Sequence, residues 1–337
     1  MIKKLLFATI AVIISVSTFA DGTTIRVSTW LPPTNPQNET VWPTWAKWVS
    51  EATEGRVKVI VENYTAHPKT LFDAVEDGVT DVSFTVNAYL SGRFKLPGVA
   101  EIPGEIANAE SGSVALWRTY KEHFEKADEY NGLHVLGMFV HGPGQLHTKF
   151  PVKTMSDLKG KKMRMGGGLV NVLAERMGVT PVGAPAPKSY EMMQQGVVDG
   201  TFLPAQEQKF FRLTEVSTDL TLFPKGLYTT AFTMMMNPDV FKSLSKKDQA
   251  AIMSVSGEKL SRLAGAAWGA ADASGIKAAK DAGINVVNVG SNDSLNKELL
   301  VLIKGIDQKW IESVASRKID AKAALATFRK HVAELDK

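Results

Sequence analysis

Hydrophobic and polar positions in the first part of the chain follow the spacings of strands and helices in turn. Residues 24–29 are rich in β-branched side chains and alternate with a period of two, which predicts a strand. Apolar residues then recur at helical spacing from Val41 to Ala52, and Gly55 follows as a stop. Three further elements are predicted in this block, a strand, a helix and a strand, at 57–61, 70–77 and 81–86.

A second block of the chain repeats this pattern. Its predicted elements again alternate strand and helix, at 161–165, 169–177, 179–183, 189–195 and 198–202. Both blocks also end alike. A helix stops at a glycine, Gly78 or Gly196, and a short turn with an aspartate, Asp81 or Asp199, precedes the last strand.

Two β-α-β-α-β units predict parallel-rich sheets with right-handed crossovers. The fold class we expect is α/β, with two similar lobes and a single cleft between them. A single doubly wound sheet stays open as the alternative. Ligands of open parallel sheets bind beyond the carboxyl ends of the strands. The residues at or just beyond the carboxyl ends of the predicted strands, which we expect to face the cleft, are Trp30, Asn87, Tyr89, Gly166, Phe202 and Leu203.

The chain becomes helical after residue 240. Ser245 begins a long alanine-rich stretch that reaches about Asp281, with Gly283 as its stop. A helix of that length exceeds the usual size in a compact domain and could lie across both lobes. A strand at 284–289, a helix at 295–314 and a short C-terminal helix follow.

The first twenty residues are typical of a secretory signal peptide. Lys3 and Lys4 precede an apolar run at 5–16, and small residues lead to a cleavage point after Ala20. The run is shorter than the roughly 20 apolar residues that span a bilayer. Cleavage would remove two lysines, so the charge of +4 would become 4 − 2 = +2. We expect a periplasmic protein; an amphipathic or buried N-terminal helix is the alternative.

Composition narrows the function further. The chain has 44% apolar and 22% charged residues, as soluble globular proteins do, and its basic residues are scattered, which argues against nucleic acid as a partner. There is no cysteine, so neither disulfides nor a lipid anchor at the cleavage site is available. Motifs of nucleophilic or zinc-dependent hydrolases are also missing. We therefore expect a protein that is not an enzyme and uses no cofactor.

Arg164 is the first candidate for ligand binding. It lies near the carboxyl end of a predicted strand, while Met163 and Met165 point to the opposite side. A guanidinium there can bind a carboxylate with two parallel hydrogen bonds, and the amides of the glycine turn that begins at Gly166 point to the same place. Two alternatives remain: an ion pair with a core carboxylate such as Asp199, and a turn with only a structural role.

The other candidates are less specific. Trp30 and Tyr89 are suited to the walls of a pocket, whereas Trp45 and Trp48 fall on an apolar helical stripe and are expected in the core. His141 and His147 lack a third metal-ligating neighbour, and His147 either faces the cleft or is structural. Glu207 accepts an ammonium group from a ligand or caps the next helix. Tyr228 is a further candidate for ligand binding.

Four segments resemble the substrate-binding proteins of TRAP transporters, the DctP-type family. They are Asp157-Leu-Lys-Gly-Lys-Lys-Met-Arg164, Tyr190-Glu-Met-Met-Gln-Gln-Gly-Val-Val-Asp-Gly200, Tyr89-Leu-Ser-Gly-Arg-Phe94 and Met236-Asn-Pro-Asp-Val-Phe-Lys-Ser-Leu-Ser245. The resemblance covers essentially the whole mature chain.

The resemblance implies a two-lobed clamp of the periplasmic-binding-protein type (type II-like), with a chain that crosses between the lobes more than once and a long helix that spans both. Lobe I would then comprise residues 21–143 and about 232–272, and lobe II residues 144–231 and about 273–337. The resemblance also implies that Arg164 binds a carboxylate and that a TRAP permease is the membrane partner. We expect a monomer, although the sequence carries almost no information on oligomeric state.

Two departures from the family bear on the ligand. Leu203 stands where members that bind dicarboxylates or sialic acid often have asparagine, and residues 142–145 lack a second arginine. A small organic acid with one carboxylate, between walls that include Phe202 and Leu203, is therefore expected. Two other classes stay open: the same clamp binding a zwitterion, an amine or another nutrient, and a secreted α/β enzyme.

Overall fold

The computed structural model describes residues 22–63, 67–90 and 92–336. The predicted signal peptide, residues 1–20, lies outside the described residues. Mixed β-sheets and surrounding helices form the architecture, and the strands belong to two separate sheets.

The first sheet has five strands. They are β1 (Thr23–Thr29), β2 (Val57–Asn63), β3 (Val82–Val86), β4 (His134–Val140) and β10 (Ala231–Met236). Their order across the sheet is β2-β1-β3-β10-β4. β1 pairs in parallel with β2 and β3, whereas β10 is antiparallel to both of its neighbours. β4 therefore runs in the same direction as β3, and the two carboxyl ends lie at the same edge.

The second sheet has six strands. They are β5 (Gly144–Thr148), β6 (Lys162–Met165), β7 (Thr180–Gly183), β8 (Gly200–Pro204), β9 (Asp219–Leu222) and β11 (Asn285–Asn288). Their order is β11-β9-β5-β8-β6-β7. β6 is parallel to β7 and β8, β11 is parallel to β9, and β5 is antiparallel to β8 and β9.

Helices cover the sheets and continue the chain beyond them. The α-helices are α1 (Trp42–Ala52), α2 (Leu71–Glu76), α3 (Ala109–Thr119), α4 (Val170–Met177), α5 (Ser189–Gln194), α6 (Glu207–Phe210), α7 (Pro238–Ser243), α8 (Lys246–Ser254), α9 (Glu258–Asp281), α10 (Ser294–Leu302), α11 (Ile306–Ser313) and α12 (Ala321–Leu335). Short 3₁₀ segments occupy Pro68–Thr70, Asn87–Leu90, Leu96–Glu101, Met155–Leu158, Ala186–Lys188, Leu213–Glu215 and Ala315–Arg317, and π-helical turns occupy Gln37–Val41 and Tyr120–Phe124.

The strand and helix order predicted for both blocks is confirmed, with bounds that differ by one or two residues. The antiparallel strands were not predicted. Residues 141–143 connect β4 of the first sheet to β5 of the second, which begins at Gly144. β5 and β10 each insert beside a parallel strand, so both sheets are mixed.

The long helical stretches are each divided by a glycine. Ser245 caps α8 as expected, but Gly257 has φ 60° and ψ −128°, a conformation that only glycine adopts easily, so α9 begins afresh at Glu258. Gly305, at φ 74°, likewise separates α10 from α11. The C-terminal helix, expected to be short, has fifteen residues.

The chain passes between the sheets three times. It leaves the first sheet after β4, returns to it at β10, and reaches the second sheet again through α9 and β11. The 24-residue α9 packs against α3 and β4 on the side of the first sheet and against α6 and β11 on the side of the second. α12 packs against α3, so the end of the chain lies on the side of the first sheet.

The hydrophobic core consists of two clusters, and each cluster includes side chains from both sheets. Trp45 is buried and Trp48 is partly buried against the same cluster, in accordance with their place on the apolar stripe of α1. A ladder of aromatic rings, which includes Phe84, Phe139 and Phe232, continues this cluster through the first sheet to Trp268 on α9. This packing fixes the strand ends that surround the site.

Candidate functional site

The carboxyl ends of parallel strands from both sheets meet around one cavity, which we call the inter-sheet cavity. The empty space in this region is about 400 Å³, part of which is open to solvent. The residues that line it are Trp30, Leu31, Val86, Tyr89, His141, Arg164, Gly166, Ala186, Leu203, Pro204, Glu207, Phe211, Tyr228, Thr230, Phe232 and Trp268. The position agrees with the rule that open α/β sheets bind ligands beyond their strand ends.

Arg164 lies in this cavity with 1% of its surface exposed. Its Nε donates a hydrogen bond to the carbonyl of Ala184 at 2.8 Å. The guanidinium forms no ion pair with any carboxylate of the described residues. Asp199 instead accepts a hydrogen bond from the amide of Lys162 at 2.8 Å. A buried positive charge is costly without a negative partner, so the site favours an anion.

The glycine turn after β6 brings the backbone close to the opposite strand end. Gly167 has φ 103°, and a Cβ there would lie 3.1 Å from the carbonyl of Ala88, which follows β3. Glycine therefore satisfies both the left-handed backbone and the close approach. Gly166 lies next to Arg164 and lines the cavity.

Three aromatic side chains turn their polar hydrogens away from the cavity. Trp30 Nε1 donates to the carbonyl of Phe84 at 2.9 Å, and Trp268 Nε1 donates to Gln37 Oε1 at 3.1 Å. The Tyr228 hydroxyl donates to the carbonyl of Phe202 at 2.8 Å. All three present their rings to the cavity. Together with Leu31, Leu203, Phe211 and Phe232 they form walls suited to an apolar, flat ligand.

Tyr89 keeps a donor available. Its hydroxyl oxygen accepts a hydrogen bond from the amide of Ala186 at 2.8 Å. Burial raises the pKa of the phenol, so the group is protonated at neutral pH. Its O–H hydrogen can donate to a ligand oxygen near Arg164, whose charge interacts with Tyr89.

Two titratable side chains complete the polar part of the cavity. Burial lowers the pKa of His141 to about 4, so the imidazole is neutral, and its Nδ1 bonds the carbonyl of Gly142. Burial raises the pKa of Glu207 to about 8. Glu207 Oε1 accepts a hydrogen bond from Gln206 Nε2 at 2.9 Å, whereas its Oε2 has no partner among the described residues.

Seven of the ten predicted ligand-binding residues line the inter-sheet cavity: Trp30, Tyr89, Arg164, Gly166, Leu203, Glu207 and Tyr228. Glu207 begins α6, but its carboxyl is bonded to Gln206 and not to the amides of that helix.

The structure does not bring the other three into the cavity. Phe202 and Leu203 are neighbours on β8, so their side chains point to opposite faces, and that of Phe202 enters the core. His147 is fully buried between the carbonyl of Leu203 and Gln208 Nε2. Asn87 donates a hydrogen bond to the carbonyl of Ala231, accepts one from the hydroxyl of Tyr130, and lines a neighbouring cavity.

Sequence reasoning missed several lining residues. Trp268 comes from α9, more than a hundred residues from Arg164, and no local signal marks it. Phe232 is the second residue of β10 and Thr230 directly precedes that strand, which was not predicted. His141 follows the carboxyl end of β4, and Ala186 follows β7 just as Gly166 follows β6, so the strand-end rule could have found these two.

Two further features concern the described parts of the chain: groups of metal-ligating side chains and helices able to cross a membrane. Among residues 22–63, 67–90 and 92–336, no three His, Asp or Glu side chains are grouped as metal ligands. Within the same ranges, no helix combines the length and the apolar character needed to span a bilayer.

Comparison with known proteins places the chain in a family. The DctP family model, described as bacterial extracellular solute-binding protein, family 7, matches residues 27–296. The outer membrane transporter protein TsaT of Comamonas testosteroni is 31% identical over 98% of both chains.

Two solved structures match over nearly the whole fold. A TRAP periplasmic solute-binding protein from Bordetella bronchiseptica with bound (R)- and (S)-mandelate is 38% identical, with a TM-score of 0.89 over 93% of this chain and 99% of that one. A TRAP solute-binding protein from Rhodoferax ferrireducens in complex with copurified benzoate is 29% identical, with a TM-score of 0.87 over 93% and 98%. The chain therefore belongs to the DctP family of bacterial extracellular solute-binding proteins, which serve TRAP transporters.

Proposed function

We propose that this protein captures an aromatic monocarboxylate in the inter-sheet cavity and delivers it to a TRAP permease. Arg164 binds the carboxylate, and the aromatic rings of Trp30, Tyr228 and Trp268 enclose the ring of the ligand. The single observation that carries the proposal is the buried guanidinium of Arg164, which faces the cavity and forms no ion pair with any carboxylate of the described residues.

The charge and polarity of the cavity favour one carboxylate over two. Arg164 is the only arginine or lysine among the residues that line it, and most of the remaining surface is apolar. A second ligand carboxylate would stay unpaired in a closed space, at a cost of roughly 1–3 kcal/mol or more. The mandelate and benzoate of the two solved relatives are also aromatic acids with one carboxylate.

The proposal includes binding without chemistry, in the periplasm, by a monomer. Family members are solute-binding transport proteins. The signal peptide would direct export and would be cleaved near Ala20. The periplasmic relatives support this location.

Two lobes, as the family resemblance implies, would close on the ligand. Lobe I would comprise residues 21–143 and about 232–272, and lobe II residues 144–231 and about 273–337. α12 is the exception within the last of these ranges: it packs against α3 and would therefore move with lobe I. Glycine turns and the crossings at 141–143 and after β9 would accommodate the motion.

Titration of the purified protein tests the proposal. Benzoate should raise the melting temperature, because a ligand that binds only the folded state stabilises it. Benzamide, which has the same shape without the charge, and succinate, which has two carboxylates, should bind much more weakly.

Arginine variants supply the matched control. Arg164→Lys should weaken benzoate binding by on the order of tenfold, because an ammonium cannot make the two parallel hydrogen bonds. Arg176→Lys, on the exposed face of α4, should leave affinity unchanged. An Arg164→Lys protein that binds benzoate as tightly as the parent would refute the proposal.

A further inference from the structure

The Glu207 carboxyl is a buried polar group that carboxylate capture by Arg164 leaves unused. It is 2% exposed, lines the inter-sheet cavity, and is held by one hydrogen bond from Gln206 to Oε1. Oε2 has no hydrogen-bond partner among the described residues. A buried polar atom without a hydrogen-bond partner costs free energy. A ligand that supplies this partner should therefore bind more tightly than one that does not.

The groups around Glu207 come from several elements. Arg164 on β6 supplies the positive charge, and Asp272 on α9 supplies a second carboxyl, whose Oδ1 accepts a hydrogen bond from the amide of Gln206 at 2.9 Å. Tyr89 and Tyr228 are protonated phenols, and His141 is a neutral imidazole in the same cavity.

Charge balance in the cavity determines the protonation state of the Glu207 carboxyl in the complex. The cavity holds one guanidinium, and a bound monocarboxylate neutralises it. An ionised Glu207 would add an uncompensated negative charge to a closed apolar space, close to Asp272. The protonated carboxyl avoids this cost, and its pKa of about 8 agrees. In this form it has an O–H donor that an ionised carboxylate lacks.

We propose that Glu207 is a specificity residue whose Oε2 hydroxyl donates a hydrogen bond to a second oxygen of the ligand. The inference rests on the proposed function and narrows the ligand to an aromatic monocarboxylate that also has a hydroxyl or keto oxygen. An acid without that oxygen would still bind to Arg164 but would leave the donor of Glu207 unpaired. The sequence-based alternative, an ionised Glu207 that accepts an ammonium group, requires the opposite protonation state.

Matched ligand pairs on the unaltered protein test this directly. Isothermal titration calorimetry at pH 7 would compare phenylacetate with mandelate and with phenylglyoxylate, whose keto oxygen only accepts hydrogen bonds. Benzoate would be compared with its three monohydroxy derivatives. At least one oxygenated acid, with an acceptor oxygen in reach, should bind about tenfold more tightly than its parent.

Two variants assign the preference to Glu207. Glu207→Leu removes the donor and should abolish the preference, while benzoate still binds. Glu207→Gln keeps a donor in its amide and should retain most of the preference. A preference that survives in the leucine variant would overturn the inference, and so would a parent protein that prefers none of the oxygenated acids.

Proton uptake gives a second readout that needs no variant. Near pH 8.5 part of Glu207 is ionised in the free protein, so binding an anion should take up protons, visible as a dependence of the binding enthalpy on the buffer. Glu207→Gln should abolish most of the uptake, whereas Asp272→Asn should keep it. No uptake by the parent protein, or tighter binding of amines, would overturn the inference.

The two proposals fail differently. If no aromatic acid binds the parent protein, the proposed function fails and this inference falls with it. If benzoate binds through Arg164 and Glu207→Leu leaves every ligand preference intact, only the role of Glu207 is refuted.

Discussion

The amide of Ala186 donates a hydrogen bond of 2.8 Å to the hydroxyl oxygen of Tyr89. Tyr89 follows β3 of the first sheet and Ala186 follows β7 of the second, so this bond joins the two sides of the inter-sheet cavity. Because the tyrosine oxygen is the acceptor, its own hydrogen is left to donate to a ligand. One side chain thus links closure of the site to recognition of the carboxylate.

Removing this hydroxyl should weaken ligand binding. Tyr89→Phe loses both the donor to the ligand and the bond to Ala186, and we expect benzoate affinity to fall about fivefold to tenfold in calorimetric titration. Tyr228→Phe is the control, since its hydroxyl donates to the carbonyl of Phe202 and not into the cavity. Equal affinities for the parent and Tyr89→Phe would contradict this role.

Tryptophan fluorescence should report ligand binding through two of the seven tryptophans. Trp30 and Trp268 line the inter-sheet cavity, and the other five do not. Benzoate should therefore change the emission of the parent protein, and Trp30→Phe and Trp268→Phe should each reduce that change. Trp310→Phe, which alters a ring in the core beside Phe124, should preserve it. A signal that depends on Trp310 would place the ligand elsewhere.

Much of the fold could be predicted from local patterns. Strands followed by helices at 24–86 and 161–202 have clear periodicity, which is why their bounds were close. β4 and β10 are buried at nearly every position, so they lack the alternation that marks a half-buried strand. The helix break at Gly257 depends on a single backbone angle, which an alanine-rich sequence does not reveal.

The site also contains residues that local patterns predict and residues that they do not. Strand-end reasoning is enough to place Arg164, Tyr89 and Gly166, since Arg164 lies near the carboxyl end of a predicted strand and the other two follow one. It cannot tell whether Phe202 or Leu203 lines the cavity, because neighbouring side chains on a strand point to opposite faces and a shift of one residue exchanges them. Trp268 reaches the cavity only through the packing of α9 across both sheets, a long-range contact without a local signal.

Stability without ligand should fall as the pH rises above neutrality. Burial raises the pKa of Glu101 and Asp272 to about 7 and that of Glu207 to about 8, from ordinary values of 4.5, 3.8 and 4.5. The folded protein therefore retains protons that the unfolded chain has released. By linkage, this contribution to the free energy of unfolding is present below the ordinary values and lost as the pH rises through 7 and 8.

Buried histidines oppose this trend only at lower pH. Burial lowers the pKa of His134, His141 and His147 to about 4, so their contribution rises with pH up to the ordinary value of 6.5. Urea unfolding between about pH 6.5 and pH 9 isolates the carboxyl groups. The midpoint should decrease across this window, and less steeply in Asp272→Asn. A midpoint that is constant or rises would contradict the assigned protonation states.

Two glycines of α9 should respond oppositely to alanine. A Cβ at Gly275 would lie 2.1 Å from the carbonyl oxygen of Ala205 and 2.5 Å from Cα of Gln206, whereas at Gly269 the nearest atom is Ala109 Cβ at 3.4 Å. Gly275→Ala should destabilise the protein by about 1–3 kcal/mol because the backbone must move. Gly269→Ala should be neutral or stabilise it by up to about 1 kcal/mol. Urea unfolding measures both, and equal effects would refute the close packing of α9 on residues 205–206.

The central claim is tested most directly by a crystal structure of the protein with benzoate. The account predicts a closed clamp in which both carboxylate oxygens lie within hydrogen-bond distance of the Arg164 guanidinium and the ring lies between Trp30 and Trp268. Benzoate bound with its carboxylate directed away from Arg164, or outside the inter-sheet cavity, would contradict it.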